Sequence, residues 1–247
     1  MGIWVGRYAM VQGQVREHGP WLVDQVHQRD GESVRLLILA EPVDDYAVEF
    51  CGEVAEAVAS LFAREELSIT GGLLRAFRQV HENLSEWNDR SLGEHRVAVG
   101  LICVAIRDSE ATIAQLGDGL VYLVKGREVR RSRAKVLDGR EPLGGIQPVA
   151  PSFVTVQLGT EHMLLLSSAV GKSISEEDIF ESLGAGPERA LAKLFTLTSD
   201  VPDMTAVLIA ELDIENDTPP LGEPDAALPS APVLDSGAAD DQLNPSV

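Results

Sequence analysis

Residues 111–124 read ATIAQLGDGLVYLV, a single carboxylate, Asp118, set between two glycines and two apolar runs. Glycine on either side lets the backbone turn sharply and leaves the Asp side chain at the end of a sheet, where strands commonly present ligand groups. The same three residues also serve as a plain hairpin turn between strands at 111–116 and 120–124.

Other residues able to carry chemistry lack the spacing for it. His18, His27, His81, His95 and His162 show no metal-ligand pattern, and Cys51 and Cys103 stand 52 positions apart without a CxxC or Cys/His arrangement. Ser167-Ser168 lacks the Gly-x-Ser-x-Gly frame of a nucleophile elbow, and Gly144-Gly145 lacks the Lys and helix of a phosphate loop. Asp44-Asp45, Glu65-Glu66 and Glu176-Glu177-Asp178 fit helix starts and solvated faces. The basic concentration is Lys125, Arg127, Arg130, Arg131, Arg133 and Lys135. It reads either as a solvated hairpin and loop or as an anion patch for a phosphoprotein or the chain's own acidic tail, since Arg grips phosphate or carboxylate through paired hydrogen bonds.

The elements that must position these groups follow from periodicity. Strands are expected at 3–12 and 14–23, and the apolar run at 36–40 suits a strand buried on both faces. Val48, Cys51, Ala55, Val58 and Phe62 recur at helical steps, as do Leu73, Phe77, Val80, Leu84 and Trp87. Residues 97–106, 111–116, 120–124, 153–158 and 163–167 are strand-rich with turns between, which argues for antiparallel sheets. Ser175 to Asp178 forms a capping box, and Gly186-Pro187 opens another helix. A last strand lies at 204–211. The order implies an α+β fold: two stacked antiparallel β-sheets flanked by helix layers.

The 247 residues carry a net charge of −19. Residues 213–247 hold eight acids, no base and no aromatic side chain, and read as a disordered Pro/Ala-rich tail; residues 1–212 alone carry −11. So acidic a chain disfavours nucleic acid and anionic membranes as partners. The cysteines read as core thiols of a reducing cytosol, and the start of the chain shows neither a signal peptide nor a membrane span, so a cytoplasmic protein is expected.

The order of five segments resembles the metal-dependent PPM-type serine/threonine phosphatases over residues 1–212. GQVREHGPWLV (13–23) is similar to the family's opening strand, with its Arg followed by Asn-Glu-Asp. LLILAEPVDD (36–45) resembles the strand that delivers Asp-Gly before a long helix, and the Gly117-Asp118-Gly119 turn resembles Gly-Asp-Ser. MLLLSSAVGKSISEEDI (163–179) resembles the strand ending in Ser-Asp-Gly, and PDMTAVLIAEL (202–212) the final strand that opens with Asp-Asn. The resemblance implies two or more Mn²⁺ or Mg²⁺ ions between the sheets, whose combined charge makes a bridging water acidic enough to attack phosphate.

Carried over by position, Arg16 matches the phosphate-binding Arg, but Gly19-Pro20-Trp21 stands where Asn-Glu-Asp belongs. Glu41 replaces the bridging Asp and Pro42 its Gly; Asp118 is kept, with Gly119 for Ser; Ser168 replaces an Asp; Asp203 is kept, with Met204 for Asn. A remnant of Glu41, Asp118 and Asp203 has too little negative charge to hold two clustered dications. The expectation is a degenerate domain without catalysis and without a resident cofactor, a regulatory or scaffold module in phospho-signalling that binds a protein partner or phosphoprotein. The rival is a slow Mn²⁺- or Mg²⁺-dependent protein phosphatase using the three carboxylates and Arg16. A further rival is a structural subunit whose partner covers the cleft. Trp21 is a candidate plug for the vacated cavity, were its indole to lie among Glu41, Ser168 and Asp203.

Overall fold

The computed structural model describes residues 2–19, 21–29, 31–91, 95–132 and 141–212. The expected tail at 213–247 lies outside them. Strand β1 (Gly2–Val11) is followed by β2 (Gln14–Arg16), β3 (Leu22–Arg29) and β4 (Glu32–Pro42). A 3-10 segment (Asp45–Phe50) leads into helices α1 (Cys51–Arg64) and α2 (Ile69–Arg90). Strands β5 (Val99–Arg107), β6 (Glu110–Leu116), β7 (Leu120–Lys125), β8 (Glu128–Ser132), β9 (Ser152–Gln157) and β10 (His162–Leu166) come next. Helices α3 (Ser168–Ser173), α4 (Glu176–Leu183) and α5 (Pro187–Thr198) precede the closing strand β11 (Met204–Leu212).

The strands form two antiparallel sheets, in the orders β2-β1-β11-β10-β7-β8 and β3-β4-β5-β6-β9. Three apolar layers hold them. Leu36, Ile38 and Ala40 of β4 join Ala55, Val58, Phe62, Leu73 and Phe77 in the layer under α1 and α2. Leu37 and Leu39 of the same strand meet Val121, Leu165, Val207 and Ile209 between the sheets. The third layer, with Ile179, Leu183, Ala190 and Leu194, lies under α3, α4 and α5. Alternate residues of a strand face opposite sides, and a strand with both sides covered reads as an unbroken apolar run, as 36–40 does. The expected helix-flanked sandwich is the observed one, although Val48 sits in the 3-10 segment and is exposed rather than buried with Cys51.

Two local expectations are corrected. Strands β6 and β7 do not pair: β6 lies between β5 and β9 in one sheet and β7 between β10 and β8 in the other, so residues 117–119 carry the chain across the sandwich. The glycines serve that crossing. A Cβ on Gly117, whose φ is +83°, would lie 2.9 Å from the Cα of Gly100. Likewise 14–23 is not one strand, because β2 and β3 belong to different sheets. Gly19, between them, packs so closely that a Cβ would lie 2.6 Å from Thr205 Oγ1.

A polar tie joins the sheets at their β1/β3 side. Asp24 Oδ2 accepts from Arg7 Nη1 at 2.8 Å, and Arg35 donates Nε and Nη2 to the two Asp24 oxygens, each at 2.8 Å. Hydrogen bonding from Arg35, with the positive charges of Arg35 and Arg7, outweighs partial burial and holds the Asp24 carboxyl below its ordinary range. Among the described residues no helix is long and apolar enough to cross a membrane.

Removing the shared acceptor should be felt. Asp24→Ala is expected to cost about 1–3 kcal/mol in urea unfolding at pH 7, because it strips two half-buried guanidiniums of a charged partner. A carboxyl with a depressed folded pKa stabilises the fold above its unfolded value, near 4, and loses that contribution as pH falls through the folded value. The stability gap between the native chain and Asp24→Asn should therefore hold at neutral pH and close below about pH 4; a gap that stays constant to pH 2 contradicts the assignment.

Candidate functional site

The alternation that builds the inter-sheet layer also fixes what lies at its end. Counting on from Leu37 and Leu39, the next residue on that face of β4 is Glu41. The same parity brings Gly100 from β5, Gln115 from β6, Gly119 before β7, Ser167 after β10 and Thr205 of β11 to one end of the sandwich. Small or hydrogen-bonded residues suit this crowded end. Gln115 Nε2 donates to the Gly119 carbonyl at 2.6 Å. Ser167 Oγ accepts the Thr205 N–H at 3.0 Å.

Glu41 crosses from one sheet to the other. Its Oε1 accepts the Ser168 N–H at 2.6 Å, at the first residue of α3. Ser167 precedes that helix but makes no side-chain cap, its hydroxyl being bonded to Thr205, so the Glu41 carboxylate supplies the missing acceptor. A Cβ on Gly119 would lie 2.7 Å from Ile102 Cδ1 and 3.3 Å from Glu41 Oε2, so the glycine leaves room for the longer acid. Burial pushes the Glu41 carboxyl above its ordinary value; hydrogen bonds from Ser168 oppose this, Asp118 adds to it and Lys172 opposes it.

Glu41 and Asp118 share a small cavity of about 140 Å³ with Ser168 and Lys172, walled by Pro42, Val43 and Pro142. Arg16, Trp21 and Asp203 do not line it. Asp203 Oδ1 accepts the Gln12 N–H at 2.8 Å and so fastens the β1–β2 turn, where Gln12 has a φ of +53°. Arg16 is exposed on β2 and donates Nη2 to Gln14 Oε1 at 3.1 Å. Trp21 packs on the layer under α1 and α2, so its indole does not plug the cavity. The expected trio is thus divided: Glu41 and Asp118 meet, and Asp203 is bonded elsewhere.

Among the described residues, no group of three or more His, Cys, Asp or Glu side chains is placed to hold one ion. The donor set does not fit two dications, since one of its two carboxylates accepts an amide N–H and the cavity wall includes the Lys172 ammonium. Sequence reasoning missed Lys172, which stands one turn beyond Ser168 and has no counterpart among the acidic positions that guided the reading. The basic run is largely matched within the chain: Lys125 and Arg130 approach Glu161 at 3.7 and 3.5 Å, and Arg131 approaches Glu176 at 3.6 Å. Arg133 and Lys135 lie outside the described residues.

No family model matches the sequence, and no curated protein matches it. Solved structures do. The serine/threonine phosphatase of S. agalactiae superposes with a TM-score of 0.64 at 16% identity, over 85% of this chain and 99% of that one. PppA of Pseudomonas aeruginosa, described as a key regulatory component of T6SS, gives 0.62 at 16% identity, over 85% and 98%. Mycobacterium tuberculosis PstP/Ppp gives 0.59 at 17%, over 85% and 99%. Likeness at such identity establishes the fold, that of the bacterial PPM-type phosphatases.

The buried carboxylate has a measurable signature. An acid whose folded pKa is raised makes the folded state the better proton binder, so its contribution to stability falls as pH rises from about 4.5 through the folded value. Glu41→Gln keeps an acceptor for the Ser168 N–H and removes the charge beside Asp118. Its melting temperature should exceed the native one at pH 7, with the difference vanishing on titration toward pH 4.5. Glu41→Ala, which leaves the amide without its acceptor, should instead lose about 1–3 kcal/mol. Equal stability of all three proteins at pH 7 would refute the cross-sheet tie.

Proposed function

We propose that this PPM-fold domain acts by binding and not by metal-assisted hydrolysis, as a regulatory or scaffold module in phospho-signalling. One observation carries the reading: Glu41, at the position matching the bridging acid of the phosphatases, is engaged by the Ser168 amide of the opposite sheet. Ser168 itself stands where the resemblance puts an Asp, so a neutral hydroxyl replaces a carboxylate.

Hydrolysis by two ions needs enough anionic oxygen to offset their mutual repulsion and then to lower the pKa of bound water. In this cavity Glu41 and Asp118 supply the anionic oxygens, Lys172 adds a positive charge, and Asp203 is held by the β1–β2 turn. The partner in this reading is a protein or phosphoprotein; the net charge of −19 opposes nucleic acid and anionic lipid surfaces. A cytoplasmic site of action belongs to the same reading, resting on Cys51 and Cys103, both buried free thiols that suit a reducing compartment.

Calorimetric titration with Mn²⁺ and Mg²⁺, run beside phosphopeptide hydrolysis in millimolar Mn²⁺, tests the proposal. We expect no two-ion isotherm and a rate indistinguishable from that of Asp118→Ala. Two tightly bound ions, with turnover abolished by Asp118→Ala, would make the domain an enzyme and overturn the reading.

A further inference from the structure

Helices α1 and α2 each carry apolar residues beyond the stripe that packs on the sheet. Phe50, Ala57 and Leu61 along α1 and its leading turn face Leu84 and Trp87 of α2 across a groove of about 320 Å³, more than twice the cavity at Glu41. The α1 side, from Phe50 to Leu61, covers twelve residues, about 16.5 Å or three helical turns at 1.5 Å per residue. One end carries an aromatic cluster. Phe50 lies 5.4 Å from Trp87 and 5.8 Å from Tyr46, and Tyr46 stacks on His95 at 5.0 Å. Trp87 is 38% and Tyr46 39% exposed, high values for side chains of this size and an expected mark of an anchor site.

Charge decides the occupant. Among the described residues the groove is lined by Glu53 and Asn83 with neither Lys nor Arg, and exposed Glu49 and Glu86 stand next in sequence to Phe50 and Trp87 at its aromatic end. The neighbouring Arg90 is drawn to Glu86 at 3.7 Å. A second copy, at −19, and the segment 213–247, with eight acids and no base, are both of the wrong sign. We infer that the groove between α1 and α2 docks an amphipathic helix of a partner protein, with an apolar stripe of two to three turns and Lys or Arg on its flanks. Apolar anchors at steps of three and four fill such grooves, and opposite rim charge sets the choice of partner. The groove shares no lining residue with the Glu41 cavity, so the inference stands whether or not that cavity hydrolyses anything.

Fluorescence anisotropy on the full chain provides the test. The probe is a labelled Leu/Lys amphipathic peptide of about 18 residues, five helical turns. Its comparators are a Leu/Glu peptide with the same apolar positions, a scrambled Leu/Lys peptide and a peptide of residues 213–247. The Leu/Lys peptide should bind saturably and the comparators at least about tenfold more weakly. Ala57→Arg places a bulky cation in the groove at an exposed position, and should reduce binding at least about tenfold with an unchanged melting temperature. Trp87→Ala and Glu53→Lys should weaken it likewise; should Trp87→Ala misfold, Ala57→Arg decides. The inference is overturned by a Leu/Lys peptide that fails to bind at millimolar concentration, by equal affinity for any comparator, or by an affinity that Ala57→Arg leaves unchanged. Dimerisation of the chain that Ala57→Arg abolishes would assign the groove to a second copy and overturn it too.

Discussion

The hydrogen bond from the Ser168 N–H to Glu41 Oε1 joins the last residues of a strand in one sheet to the first turn of a helix that leaves the other. A carboxylate makes a stronger acceptor for an N–H than a neutral oxygen, and partial burial makes it costly if the donor is lost. Its neighbours conform to it. Ser167 turns its hydroxyl to Thr205, Gly119 leaves the volume that the longer acid occupies, and Lys172 offsets part of the charge shared with Asp118. The Arg7–Asp24–Arg35 group does a similar job nearer the β1/β3 side, where arginine forks replace the backbone donor. Between them lies an apolar layer that supplies most of the cohesion but is indifferent to small sliding of one sheet over the other. Directional polar contacts across the layer are what can fix the relative position of the sheets.

The proposed binding role bears on how the acids at this end of the sandwich are engaged. A set of carboxylates that converges to hold cations is self-repelling without them, so a chain that does not use the ions gains stability by neutralising some members and engaging others. Three outcomes are visible at matching positions. Ser168 is neutral, Glu41 reaches an amide, and Asp203 accepts from Gln12 at the β1–β2 turn. Among the described residues no such local donor meets Asp118, which lines the cavity that also contains Lys172. Positions 41 and 119 are coupled sterically: a side chain at 119 would press on Ile102 and on the far oxygen of Glu41.

Much of this was legible in the chain because it depends on parity and period. The run Leu36 to Ala40 could only be a strand covered on both sides, and its parity places Glu41 in the inter-sheet space. The capping box is equally local, with Ser175 Oγ accepting the Asp178 N–H at 3.2 Å. What escaped is non-local. Two apolar runs around a glycine turn look the same whether the strands pair or cross between sheets; the contact of Gly117 with Gly100 decides it. The break between β2 and β3 similarly rests on Gly19 meeting Thr205, far along the sequence. For Asp203 the position was legible, but the direction of its side chain depends on the Gln12 N–H that it accepts from, and no pattern in the chain announces that.

Helix α2 shows how a correct period still misplaces side chains. Leu73, Phe77, Val80, Leu84 and Trp87 follow a spacing of three and four that averages 3.5, while a straight helix turns once in 3.6 residues. The stripe therefore drifts by about 20° per heptad, or about 40° between Leu73 and Trp87. Leu73 and Phe77 are fully buried, Val80 is buried but already borders the groove, Leu84 is half-buried, and Trp87 is exposed. A stripe meant only for the sheet would correct the drift by stepping to the next inward position. Here it continues outward in apolar and aromatic residues, and the 3-10 segment brings Tyr46 and Phe50 to meet it. The second apolar surface is thus written into the register of α2, and its orientation away from the sheet leaves it available to a helix of another protein.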